Sequence, residues 1–177
     1  MEQVVLLDEN NNKIGIGEKI KVHEQGKLHM AFSIFIFNNK RELMLQKRSK
    51  NKYHSGGLWS NTCCSHPRPG ENIEAAAHRR LREEMGFDCE LEKVFSFSYK
   101  VKLGSLFENE LDYVFIGKFN GNPFINSEEV EGWKWVSMDE LEKELEKNHW
   151  DYSYWFKVAF PRIIGFLGEN GASLFKS

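Results

Sequence analysis

The 177-residue sequence is poor in three features, and each shortage excludes a class of protein. It has three cysteines, Cys63 and Cys64 side by side and Cys89 apart from them. An odd number at no framework spacing excludes a disulfide scaffold and fits a reducing compartment, so a cytoplasmic protein is expected. No apolar run approaches the roughly 20 residues needed to cross a bilayer. The opening stretch MEQVVLLDENNNKIG is acidic where a secretory leader is basic, so neither export nor membrane association is expected. Charge of one sign is also missing: 24 Lys and Arg against 26 Asp and Glu leave a net charge of −2. Without a broad positive field no nucleic acid is expected as partner, and any anion must be held by a local group of cations. That points to small anions. What the chain has in plenty is aromatic residues, 14% of the total with 14 Phe and five Trp, enough to line a pocket as well as fill a core. The length suits one domain over residues 1–177.

Along the chain, QVVLLDENNNKIG reads as a short strand followed by an Asn-rich turn, and HMAFSIFIFNNKRELMLQKRS as two strands joined through NNKRE in a hairpin. A glycine-containing loop, NKYHSGGLWSNTCCSHPRPG, leads to a helix from about Asn72 to Met85. In that helix Ile73, Ala77, Leu81 and Met85 recur as a buried stripe, and Gly86 stops it. ELEKVFSFSYKVKL and ENELDYVFIGKFNG form a second, longer hairpin, and EGWKWVS a further strand. Helices are expected from Met138 to His149 and from about Tyr152 to Leu167, with Pro161 near the start or at a kink of the last. Strands first, one helix in the middle and helices last imply an α+β fold, a mixed sheet sandwiched between helices.

Several residues can carry chemistry. His23, His29 and His66 lie near charge in strand-adjacent or loop positions, and three neutral imidazoles with carboxylates suit Mn, Fe or Zn. Taken singly, each also reads as a surface or capping histidine. Glu108 and Glu110 stand two apart on an expected strand and share a face that Asp112 continues; the competing reading is a solvated acidic edge. On the helix, Arg80 and Glu84 share one row and Arg79 and Glu83 the next, the spacing of ordinary surface ion pairs.

The string NTCCSHPRPGENIEAAAHRRLREEMGF resembles the Nudix signature, with Glu71, Arg79, Leu81, Glu83, Glu84 and Gly86 in register. Ser65 replaces its first glycine, and Arg80 replaces a glutamate. In Nudix hydrolases carboxylates of this helix hold Mg²⁺ ions that activate water against a diphosphate. A guanidinium in place of one carboxylate removes a metal ligand and adds a phosphate clamp, so binding should survive and hydrolysis should not. Together with SNTCCSHP, ENE, the early histidine pair and the late HWDYSYW, the sequence resembles the type 1 isopentenyl-diphosphate Δ-isomerases over about residues 19–160.

That resemblance implies a Nudix-like fold and a shift of the double bond in a five-carbon prenyl diphosphate. It implies Cys64 and Glu110 as the catalytic pair, Tyr99 beside the glutamate and Trp155 as an aromatic over the hydrocarbon. His23, His29, His66, Glu108 and Glu110 would hold a divalent metal, Mn²⁺ in first place with Zn²⁺ or Mg²⁺ as alternatives. Glu84 would hold the Mg²⁺ that accompanies the diphosphate, and Lys19, Arg48, Lys52 and Arg80 the diphosphate itself, with Arg68 a further candidate. The chemistry calls for such residues: an unactivated alkene needs an acid to protonate carbon, a base to take a different proton, and a dry π-lined site for the tertiary cation between. Cys63 and Cys89 are expected as small buried residues, His54, His78 and His149 at the surface, and Trp133, Trp135 and Trp150 in the core. The partner is a small prenyl diphosphate, and the protein a monomer or weak homodimer. The rival readings are a pyrophosphohydrolase that tolerates Arg80 and a metal-stabilised binding module.

Overall fold

A computed structural model describes residues 2–174, with side chains through residue 170. The chain runs β1 (Gln3–Leu7), β2 (Lys13–Glu18), α1 (Lys19–Gln25), β3 (His29–Phe37), β4 (Leu43–Arg48), β5 (Trp59–Ser60), β6 (Cys63–Ser65), α2 (Ile73–Met85), β7 (Leu91–Leu103), β8 (Leu106–Lys118), β9 (Val130–Val136), α3 (Met138–Asn148), a 3₁₀ turn (His149–Asp151) and α4 (Tyr154–Leu174). The mixed sheet lies between α2 on one face and α3 and α4 on the other. Among the described residues no helix is long and apolar enough to cross a membrane.

The organising strand is β3. All nine of its residues, HMAFSIFIF, are buried, because a strand covered on both faces loses the alternation of a half-exposed one. It runs parallel to β8 from His29 opposite Glu110 to Phe37 opposite Lys118. With β8 occupying one edge throughout, the other edge is shared in succession by β1 at His29, β6 at Phe32 to Ile34 and β4 at Phe37. The expected β3–β4 hairpin therefore exists only at its turn: Phe37 meets Leu43, and β4 then departs to pair with β9 and β5. The segment 59–65 fills the gap. The second hairpin is continuous, β7 on β8 from Leu91 opposite Gly117 to Leu103 opposite Leu106. Gly104, at φ 65°, takes the left-handed conformation that its tight turn demands.

Alternation along β3 and β8 divides one sheet face into two regions. Phe35, Phe37, Val114 and Ile116 join Trp155, Phe156, Phe160 and Ile163 of α4 in one core cluster. One or two steps nearer the start of each strand, the same face presents His29 and Ser33 from β3, and Glu108, Glu110 and Asp112 from β8, all buried. The opposite face carries Phe32, Ile34, Ile36 and Phe115 against Ala76, Ala77, Leu81 and Met85 of α2. The expected stripe is thus present, with Ile73 only partly covered.

Helix α2 starts at Asn72, whose side chain accepts from the amides of Glu74 and Ala75, and ends at Gly86 in the left-handed region with φ 72°. A side chain at Gly86 would also collide with the carbonyl of Phe124. Four elements escape the sequence reading. Strand β2 carries Ile14 and Ile16 exposed between glycines, α1 has seven residues, β5 two and β6 three, all too short for a periodic signal. Pro161 lies inside α4 rather than near its start, and that helix runs past Leu167.

Candidate active site

The polar end of the β3–β8 face opens into a small cavity. Short elements deliver its walls: Lys19 begins α1, Arg48 ends β4, Cys64 sits in β6, and His66 follows it. Arg80 reaches in from α2, Tyr99 from β7, Glu108 and Glu110 from β8, and Trp155 from α4, while Lys52 and His54 come from the loop between β4 and β5. Of the residues the sequence singled out, His23, His29 and Glu84 stand behind this wall.

Strand alternation separates the two adjacent cysteines. Cys63, opposite Ile34, points into the α2 core and is fully buried. Cys64, opposite Ser33, turns to the other face, lines the cavity and receives Arg48 Nη1 at 3.7 Å from its sulfur. Burial pushes the Cys64 thiol up to about 12 against the pull of Arg48, so it carries its proton at neutral pH. Arg48 also lies 4.9 Å from the centre of the Trp155 ring.

On the other edge of β3 from Cys64, four residues nearer that strand's start and opposite His29, Glu110 is held by both oxygens. Tyr99 donates its hydroxyl to Oε2 at 2.6 Å, and His66 Nε2 meets Oε1 at 2.9 Å. Burial opposes ionisation of this carboxyl, but the imidazoles of His29 and His66 beside it outweigh burial and hold the group well below the usual carboxylate range. The neighbouring charge then acts outward: burial first, and Glu110 second, push the Tyr99 hydroxyl and the Asp112 carboxyl well above their ordinary values. Asp112 receives the Ser33 hydroxyl at 2.8 Å. The acidic run on β8 is therefore an interior feature, and the reading as a solvated edge fails.

Five ligand atoms, one each from His23, His29, His66, Glu108 and Glu110, lie within 4.8 Å of one another in the buried interior. The fit to a metal is visible in the hydrogen bonds. His23 Nδ1 donates to the carbonyl of Lys19 at 2.7 Å and His29 Nδ1 to that of Lys27 at 2.9 Å, which leaves each Nε2 as a bare lone pair turned into the cluster. His23 Nε2, His29 Nε2 and Glu108 Oε2 are buried without a hydrogen-bond partner. Uncompensated interior polar atoms are costly, and a cation placed among them satisfies all three. Burial lowers the His66 pKa to about 3, so that ring is neutral, as a ligand must be. Three imidazoles with two carboxylates suit a first-row divalent metal.

The cations gather on the adjoining wall, and all but Arg48 have an anionic partner. Lys19 reaches Glu2 at 3.1 Å and lies 4.7 Å from the centre of the Tyr53 ring. Lys52 pairs with Glu129. Arg80 Nη1 bonds Glu83 at 2.8 Å, while Nη2 bonds Glu84 and lies 3.2 Å from Glu129. Glu84 is buried and receives Gln46 Nε2 at 3.1 Å as well. Arg68 is exposed and meets only Glu83, at 3.6 Å, away from the cavity wall.

Two expectations are corrected. His54, expected at the surface, has a side chain only 7% exposed and forms an ion pair with Glu108; Trp150, expected in the core, is 79% exposed. His78 and His149 do lie outside the site, the first paired with Asp88 and the second exposed, and Trp133 and Trp135 pack on the α2-side core. Sequence reasoning also missed Gln46 and Glu129. Neither stands in a motif, and only pairing of β4 with β9 brings them to α2.

Comparison with known proteins gives a consistent result. Residues 27–156 match the NUDIX domain family. The chain is 52% identical over 172 residues, 97% of its length and 91% of the relative's, to isopentenyl-diphosphate Delta-isomerase 2 of Aromatoleum aromaticum. It is 54% identical over 157 residues, 88% of its length and 89% of the relative's, to isopentenyl-diphosphate Delta-isomerase 2 of Photorhabdus laumondii. Among solved structures, DR0079 from Deinococcus radiodurans superposes with a TM-score of 0.71 at 18% identity, covering 83% of this chain and 90% of that one. The latter likeness concerns the fold alone.

Proposed function

This chain belongs to the NUDIX family and, within it, to the isopentenyl-diphosphate Delta-isomerases, and from that membership we propose how its cavity performs the reaction. The protein is an enzyme that interconverts isopentenyl diphosphate and dimethylallyl diphosphate in isoprenoid biosynthesis. The reaction adds a proton to the terminal alkene carbon, which leaves a tertiary carbocation, and removes a proton from the carbon on the diphosphate side. Atoms and charge balance, and only the double bond moves.

Cys64 and Glu110 exchange these protons. The supporting observation is their placement: they arrive on β6 and β8, which flank opposite edges of β3, so an alkene lying across β3 meets one from each side. Tyr99 keeps the carboxyl of Glu110 aimed by its 2.6 Å hydrogen bond. Trp155, 4% exposed, offers the carbocation a π face that cannot trap it covalently, and the burial of Tyr99, Glu108 and Glu110 around it excludes the water that would. Lys19, Arg48, Lys52 and Arg80 bind the diphosphate, with Lys19, Lys52 and Arg80 exchanging their present carboxylate partners for phosphate oxygens. Arg80 stands where a hydrolase has a further carboxylate, and beside Glu83 and Glu84 it leaves fewer ligands for metal than hydrolysis needs, which favours isomerisation over phosphate cleavage.

His23, His29, His66, Glu108 and Glu110 would hold Mn²⁺, with Zn²⁺ or Mg²⁺ accepted by the same ligands, and Glu84 would hold the Mg²⁺ that accompanies the substrate. When bound, these ions fix the Glu110 carboxylate and offset diphosphate charge. We further assign residues 1–177 to one domain, a monomer or weak homodimer working in the cytoplasm. The test is incubation with isopentenyl diphosphate, Mn²⁺ and Mg²⁺. Dimethylallyl diphosphate should form without release of phosphate; metal-loaded protein that makes none, or that releases phosphate instead, sinks the reading.

A further inference from the structure

We propose that His54 is a positioning residue of the metal centre, holding the Glu108 carboxylate in place and tying it to the loop that carries the diphosphate-binding cations. It is not one of the five clustered ligands. Its Nε2 pairs with Glu108 Oε1, whereas the opposite oxygen of the same carboxylate, Oε2, faces His23 Nε2 at 3.4 Å and has no hydrogen bond. The two oxygens of Glu108 thus have separate tasks, one fixed by His54 and the other presented to the ion.

The two ring nitrogens have different partners. Ser55 Oγ lies 3.3 Å from His54 Nδ1 and can donate or accept there, while a carboxylate oxygen only accepts, so it is a proton on Nε2 that would serve the contact with Glu108. This is the reverse of His23 and His29, whose Nδ1 protons are tied to backbone carbonyls so that Nε2 is left bare. The two buried histidines thus turn a bare Nε2 into the cluster, whereas His54 sets its Nε2 against an oxygen of one of the ligands.

His54 also contacts the substrate-facing side of the cavity. Its carbonyl accepts from Arg48 Nη2 at 3.3 Å, and its ring stands edge-on to Trp155 at 5.7 Å. One residue therefore touches a metal ligand, a diphosphate-binding cation and the aromatic wall. Order at the metal centre and order in the 49–58 loop are coupled through it.

The inference rests on the metal centre proposed above, so His23→Ala is measured in parallel to test that premise separately. The readout is Mn²⁺ binding to the purified full chain by titration and electron paramagnetic resonance, independent of turnover. His54→Phe keeps the ring against Trp155 but removes the nitrogen that faces Glu108, and should weaken Mn²⁺ binding by about 10- to 100-fold, the usual effect of losing the partner of a metal ligand. The thermal midpoint of the metal-free protein should stay near wild type. His54→Gln, which returns an N–H near the position of Nε2, should recover most of the affinity. Wild-type Mn²⁺ affinity in His54→Phe overturns the proposal, as does His54→Gln binding no better than His54→Phe. If His54→Phe does not fold, His54→Ala carries the same expectation. Undiminished binding in His23→Ala would instead overturn the metal centre itself.

Discussion

At the scale of single residues, the division of labour between two neighbouring cysteines rests on strand geometry. Successive side chains on β6 point to opposite faces, which makes Cys63 a packing residue and Cys64 a cavity residue. Cys64→Ala should abolish isomerisation while diphosphate binding persists, because the cations do the holding. Cys63→Ala should keep kcat and instead lower stability by roughly 1 kcal/mol through the small void it leaves in the α2 core. Comparable loss of activity in the two variants would show that the assignment of the cavity thiol is wrong. Arg80 poses the matching question for phosphate chemistry. Arg80→Glu restores the Nudix signature but sets a fourth carboxylate beside Glu83, Glu84 and Glu129. It should lose isomerase activity and release no phosphate, since the bare carboxylates repel both one another and the substrate. Efficient phosphate release by this variant, measured against a metal-free control, would mean that Arg80 alone bars hydrolysis.

At the scale of elements, helix α2 is secured at its start by a side-chain network. Arg79 reaches back from the helix to Glu71, Nε to Oε1 at 2.7 Å and Nη2 to Oε2 at 2.8 Å, and Glu71 also accepts the backbone amide of Arg68. The Arg79 hydrogen bond, the largest influence, lowers the Glu71 pKa. A depressed folded-state carboxyl contributes stability above its unfolded value, about 4.3, and loses it as pH falls through the lower folded value. Glu71→Gln should therefore reduce stability at neutral pH and flatten the acid limb of the stability profile, read from thermal midpoints between about pH 7 and pH 3. An acid limb as steep as wild type would show that the pair is not coupled to folding. The same region shows why the helix was legible in the sequence and β6 was not: α2 repeats its apolar positions through several turns, whereas β6 has three residues and exists because β4 leaves β3 after one pair.

At the scale of the whole molecule, the proposed metal centre would join parts of the chain that share no local structure. Its ligands come from α1, β3, the segment after β6, and β8. An ion that binds the folded chain and not the unfolded one must raise stability, by about 2.7 kcal/mol at a concentration a hundred times its Kd. For a chain of this size that is a rise in Tm of roughly 5–11 °C. Mn²⁺ against a chelator control, followed by calorimetry, tests this, and an unchanged Tm would remove the metal from the account. The separation of the sheet face into an aromatic half under α4 and a polar half over the cavity belongs to this scale too, since it needs β3 and β8 in parallel register.

Resemblance alone put forward the five clustered residues and the catalytic and cation residues; the sequence by itself determined the fold class, the α2 helix with both its ends and the long β7–β8 hairpin. These are readable because periodicity, capping residues and motif spacing are local properties of the chain. Only tertiary structure decided that β3 pairs with β8 and not along β4, that the acidic run of β8 is interior, that Arg80 is held among three carboxylates, and that His54 belongs to the site. Each of these depends on groups distant in sequence: Glu108 lies 54 positions beyond His54, and no local pattern marks the loop histidine as its partner. Contacts of that kind form when strand register brings the segments together, and the burial that follows turns ordinary polar side chains into an active site.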